Sequence, residues 1–164
     1  MSHPVYAQNT PAQGGLEEMP TLGMPQDYRL RRPGARPLIF SGAELAMAMN
    51  FTPELPYWYE INIYRTSSQR FVLAIRQFFQ SETEEDTCQA WEFETLAEVF
   101  DAIEQYDAAK DITVSMMEMN VSTPAELAAM SLDLRAQVTA ARANFGGLVG
   151  ELFEELDQSL QASL

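Results

Sequence analysis

The chain has 164 residues, one cysteine, one histidine and a formal charge of −14, with 46% hydrophobic residues. The lone Cys88 excludes an intrachain disulfide and a zinc site built on several thiolates. A chain of this length buries roughly 68–70% of its unfolded surface and needs neither staple. No window approaches about eighteen uninterrupted apolar residues, and the N-terminus has no basic stretch leading into an apolar one. A cytoplasmic protein without a membrane segment is therefore expected.

The charge is unevenly placed. Residues 1–50 balance Arg29, Arg31, Arg32 and Arg36 against Glu17, Glu18, Asp27 and Glu44. The remaining 114 residues hold six basic and twenty acidic side chains, and so carry the whole net charge. Eleven of those acids lie between Glu82 and Asp111, with Lys110 as the only base among them. Such a surface repels phosphate backbones and anionic membranes and speeds the approach of basic partners. Acidity of this kind also simply keeps a small protein soluble.

Residues 1–36 read as a disordered arm. Pro4, Pro11, Pro20, Pro25 and Pro33 punctuate it, with Gly14, Gly15, Gly23 and Gly34 between them. Tyr28-Arg29-Leu30-Arg31-Arg32 is its one basic, partly apolar segment. A single domain is expected over 37–164. Leu38-Ile39-Phe40 suggests a short strand. Ser41-Gly42-Ala43-Glu44 has capping-box spacing, which predicts a short helix over Leu45 to Met49.

Tyr57 to Thr66 alternates, with Tyr57, Tyr59, Ile61 and Ile63 on one side and Trp58, Glu60, Asn62 and Tyr64 on the other. Period two in aromatic and β-branched residues predicts a strand. Phe71 to Phe79 and Thr87 to Phe93 follow the same rule across polar connections, so an antiparallel hairpin and a third strand are expected. Thr95-Leu96-Ala97-Glu98 is a capping box, and Leu96, Val99, Phe100 and Ile103 mark one helical face. Residues 57–106 thus form a β-β-β-α core.

Residues 111–121 are ambiguous. Ile112 and Val114 suit a fourth strand, whereas Met116, Met117 and Met119 suit an adaptable apolar contact. Thr123-Pro124-Ala125-Glu126 caps another helix. Leu127, Met130, Leu134, Val138 and Ala141 make one stripe; Val149, Leu152, Phe153, Leu156 and Leu160 make another. Gly146-Gly147 between them predicts two helices over 124–162, or one helix weakened there. The expected fold class is α+β: a three- or four-stranded antiparallel sheet with two C-terminal helices behind a disordered arm.

Catalytic residue types are scarce. His3 falls in the arm, so a Ser-His or Cys-His pair has no base held in a cleft. Cys88 sits mid-strand downstream of Glu84, Glu85 and Asp86, which suits a buried small hydrophobe better than a reactive thiolate. The Glu82–Asp86 run lacks the glycine and ligand spacing of an EF-hand. Glu92 and Glu94 share a strand face, most simply an outward polar one. Gly146-Gly147-Leu148-Val149-Gly150 follows a helix rather than a strand, so it is no phosphate loop.

The residues suggest a non-catalytic acidic interaction protein that binds a partner with a basic surface. No cofactor or metal is implied, and neither nucleic acid nor membrane is bound directly. Partner contacts are expected from Glu84, Glu85, Asp86, Glu98, Asp101 and Glu104, and from Trp58, Tyr64 and Phe78 if the C-terminal helices leave those rings uncovered. Self-association through the C-terminal helices is a further possibility. Two alternatives remain: a nucleic-acid mimic that occupies the basic groove of a DNA- or RNA-binding protein, and a carboxylate enzyme or small-ligand module using a divalent metal.

Overall fold

Three strands carry the alternation seen in the sequence. In the computed structural model, which describes residues 24–53, 55–113 and 122–162, they are β3 (Tyr57–Thr66), β4 (Phe71–Phe79) and β5 (Thr87–Phe93). They pair antiparallel, with Trp58 opposite Phe78 and Ala74 opposite Ala90. The β3–β4 turn is closed by Thr66, whose Oγ1 accepts from the Arg70 N–H at 3.0 Å.

The sheet has five strands, in the order β1-β2-β3-β4-β5, rather than the three or four expected. The first two are β1 (Gln26–Arg32) and β2 (Ala35–Asn50). The expected arm therefore yields to a strand from Gln26 onward, and the expected helix over 45–49 is the second half of β2. Gly34, at φ 69, makes the turn between them. Alanine, leucine and methionine favour helix, yet 45–49 alternate: Ala46 and Ala48 are buried. Pairing to β3 overrides the local preference. Ser41 donates to Asp27 across the β1–β2 ladder instead of capping a helix.

β2 changes partner partway along. Its first half pairs with β1 and its second half with β3, and Gly42 faces both Gln26 and Thr66. A side chain at Gly42 would meet the Arg65 carbonyl oxygen at 2.2 Å, so only glycine permits this approach. A bulge between Glu44 and Ala46 adds to the bend. The β1–β2 hairpin thereby folds over one sheet face, and Tyr28 and Leu30 join Tyr64, Val72, Ala74 and Ala90 in a small core.

The other face is the main core. Tyr57, Tyr59, Ile61, Ile63, Leu73 and Ile75 lie under two helices, α1 (Leu96–Gln105) and α2 (Pro124–Ala162). The α1 capping box forms as its sequence predicts, and Val99 and Ile103 are buried. A 3₁₀ turn over Ala108–Asp111 follows. The question of a strand over 111–121 falls mostly on 114–121, which lie outside the described residues.

One helix of 39 residues stands where two were expected, because Gly146 and Gly147 continue the α-helical turn. It begins at a second capping box: the Glu126 N–H donates to Thr123 Oγ1 at 3.3 Å, and the Thr123 N–H donates to Glu126 Oε2 at 2.6 Å. The bond from the Thr123 N–H, first, and that from the Thr123 side chain hold the Glu126 carboxyl below its usual range. Burial starts only at Ala141 and continues through Phe145, Leu148, Leu152 and Leu156 on one stripe. No described helix is long and apolar enough to cross a membrane.

Candidate binding cleft on the open sheet face

The face turned away from the helices is built in three layers along β3. At one end Tyr28, Phe40 and Tyr64 pack ring against ring, with Tyr28–Tyr64 centroids 4.6 Å apart. Burial keeps the Tyr64 hydroxyl protonated, far above its ordinary pKa.

The middle layer is polar. Arg76 Nη1 meets Glu60 Oε1 at 2.8 Å across the β3–β4 ladder, both side chains about four-fifths buried. Asn62 Nδ2 donates to Glu44 Oε2 at 3.2 Å, while the Asn62 Oδ1 atom is buried without a partner. Burial, chiefly, raises the Glu44 carboxyl above its usual range, and the nearby Glu60 charge adds to this. Cys88 lies opposite Arg76 in register. Burial pushes its thiol up more than the Arg76 guanidinium pulls it down, so it is no ready nucleophile.

The third layer is open. Trp58 and Phe78 stack at 5.6 Å, and Phe51 meets Trp58 edge-on at 5.8 Å. With Met49 and Glu60 they line a cleft of about 470 Å³. Met49 is 53% exposed and Phe51 64%. Large exposed apolar residues clustered in a concavity mark binding surfaces rather than chance exposure. The cleft stays open because α2 packs on the more apolar face, while the β1–β2 hairpin covers only the Tyr64 end.

Of the three rings named from the sequence, Trp58 and Phe78 come together and Tyr64 does not. It sits under β1, 1% exposed, and is corrected from contact residue to core. Glu84, Glu85 and Asp86 lie exposed in the β4–β5 loop, which begins just past Phe78 at the cleft's own end. Asp86 Oδ1 there accepts the Phe79 N–H at 3.0 Å. Glu98, Asp101 and Glu104 project from α1 on the helical side of the sheet, so the six named carboxylates do not form one plate. Glu98 is spent on its cap: bonds from the backbone N–H groups of Thr95, first, and Glu94 hold its carboxyl below the usual range.

Some of the acidity is answered internally. Glu92 pairs with Arg70 at 3.2 Å and Asp107 with Arg142 at 2.9 Å. Asp111 Oδ2 accepts from the hydroxyls of Tyr59 and Tyr106, each at 2.5 Å. No group of three or more His, Cys, Asp or Glu side chains among the described residues is arranged to hold a metal ion.

Sequence reasoning missed Met49, Phe51, Glu44, Glu60 and Asn62 as site residues. For Met49 the signal was the alternation Ala46-Met47-Ala48-Met49, hidden by its helix-forming composition, and for Glu60 and Asn62 it was the strand face they share with Trp58. No protein-family model, curated protein or solved structure matches the chain.

Proposed function

We propose that the chain is a non-catalytic interaction protein whose cleft takes an apolar side chain of a partner protein, with basic residues of that partner lying against the acidic β4–β5 loop. The observation that carries this reading is the uncovered Met49–Phe51–Trp58–Phe78 surface beside Glu60. The adjoining loop, residues 80–86, holds Glu82, Glu84, Glu85 and Asp86 and no base. Aromatic residues in a desolvated pocket supply most of an interface's affinity, while rim charges set the encounter rate and its salt dependence. The residue inventory supports a non-catalytic role, since the only histidine is His3 and the Cys88 thiol is raised by burial.

Selection of displayed eight-residue peptides on the whole protein, with Trp58→Ala as the counter-target, tests this. Selected peptides should lose about thirtyfold in affinity on Trp58→Ala, the loss typical of an aromatic hot spot. They should also bind more weakly as salt rises. Peptides that bind the Trp58→Ala protein equally well, or with no salt dependence, would refute the proposal.

A further inference from the structure

Resting on that reading of the cleft, we infer that its inner end is a subsite for one cationic side chain, arginine or lysine, of the bound partner segment. Asn62, Glu44 and Glu60 carry the argument. Asn62 is 3% exposed and spends its amide N–H on Glu44, which leaves its Oδ1 buried with no donor. Native proteins rarely leave such an acceptor orphaned, because it forfeits its hydration without return. An unmet acceptor beside a surface cleft is a place for a ligand's donor.

The charge balance points to the donor's sign. Glu44 and Glu60 both face this floor against the single guanidinium of Arg76, which pairs directly with Glu60 and acts on Glu44 only through its more distant charge. Among the described residues no cation lies within salt-bridge distance of Glu44. Two carboxylates against one guanidinium leave an excess negative charge in a half-buried place, where attraction is stronger than in water. The neighbouring Tyr64 hydroxyl gives Glu44 a hydrogen bond but, being neutral, brings no positive charge.

Reach and chemistry agree. Glu60 lines the cleft and Asn62 lies two residues farther along the same strand face, about 7 Å beyond it along the strand. A long basic side chain entering past Trp58 spans that distance with its stem on the ring and its head among the acceptors. Arginine and lysine offer donors only, whereas a neutral amide would bring an acceptor toward three others. The Trp58–Phe78 stack also favours a cation over its exposed ring face.

The same peptide selection separates this inference from the reading beneath it. Arginine or lysine should be enriched at a fixed spacing from the apolar anchor. Replacing that residue by citrulline or acetyl-lysine should weaken binding at least tenfold to the parent protein and less than threefold to Glu44→Gln. The neutral-peptide comparison needs no protein variant, so it stands even if Glu44→Gln folds poorly. Enrichment of an apolar residue without a base would overturn the subsite and leave the cleft reading intact. No enrichment beyond the Trp58→Ala control would overturn both. Displacement of the peptide by free argininamide at the peptide's own concentration would assign the subsite to a small free cation instead.

Discussion

Two glycine-to-alanine substitutions of identical chemistry should move stability in opposite directions. At Gly42 a new Cβ would sit 2.2 Å from the Arg65 oxygen and 2.8 Å from the Thr66 Cα. These are backbone atoms of β3, paired in the ladder on which the sheet is built, and they cannot rotate aside. Overpacking of this kind costs about 1–3 kcal/mol or more. At Gly147, inside α2, an added Cβ meets nothing within 4 Å. Alanine there removes glycine's entropic penalty in a helix and stabilises by about 0.8–1 kcal/mol. Urea unfolding of the parent and the two variants measures both. With a slope of about 2 kcal/mol per molar, Gly42→Ala should lower the midpoint by about 0.5–1.5 M and Gly147→Ala should raise it by about 0.4–0.5 M. A Gly42→Ala protein that unfolds at the parental midpoint would refute the close passage of β2 over β3. A Gly147→Ala protein with a lower midpoint would refute a continuous α2.

Two electrostatic outcomes follow from the same structure. Burial raises the Glu44 carboxyl above its ordinary 4.5, so the folded state disfavours its charged form. Glu44 therefore contributes most below 4.5, and that contribution is lost as pH rises through the raised value. Glu44→Gln should be at least as heat-stable as the parent at pH 7, with its advantage shrinking by pH 4; an advantage that grows on acidification would contradict the assignment. Asp107 is lowered from 3.8 to about 2, first by the hydrogen bond from Arg142 and then by that from the Ala109 N–H. Its stabilising contribution is present above 3.8 and lost as pH falls through about 2. Carboxyl NMR titration of Arg142→Ala should show the Asp107 pKa climbing toward 3.8 while staying below it. An unchanged value would mean that the Ala109 amide alone sets it.

The sequence announced β3, β4, β5 and α1 because each is locally self-consistent. Tyr57 to Thr66 alternates with residues that suit a pleated surface. Thr95 and Glu98 stand at the spacing of two reciprocal bonds. The second cap, at Thr123 and Glu126, was legible for the same reason. β1 and β2 were not. Pro25, Pro33 and Gly34 look like the punctuation of an arm, yet they bracket one strand and turn its hairpin. The run from Leu45 to Met49 has helical composition and strand periodicity, and cross-strand bonds to β3 settle that conflict.

The same division holds for the candidate site. Alternation alone puts Trp58, Glu60, Asn62 and Tyr64 on one face of β3, and it identifies Phe78 as a ring on β4. Which of those rings meets solvent is not a local property. It depends on where β2 bends at Gly42, and so on how far the β1–β2 hairpin reaches over the sheet, and on α2 choosing the opposite face. Short-range periodicity records which way a side chain points relative to its neighbours. Only the packing of elements distant in the chain determines what lies in that direction, and here it buries Tyr64 and leaves Trp58 and Phe78 open.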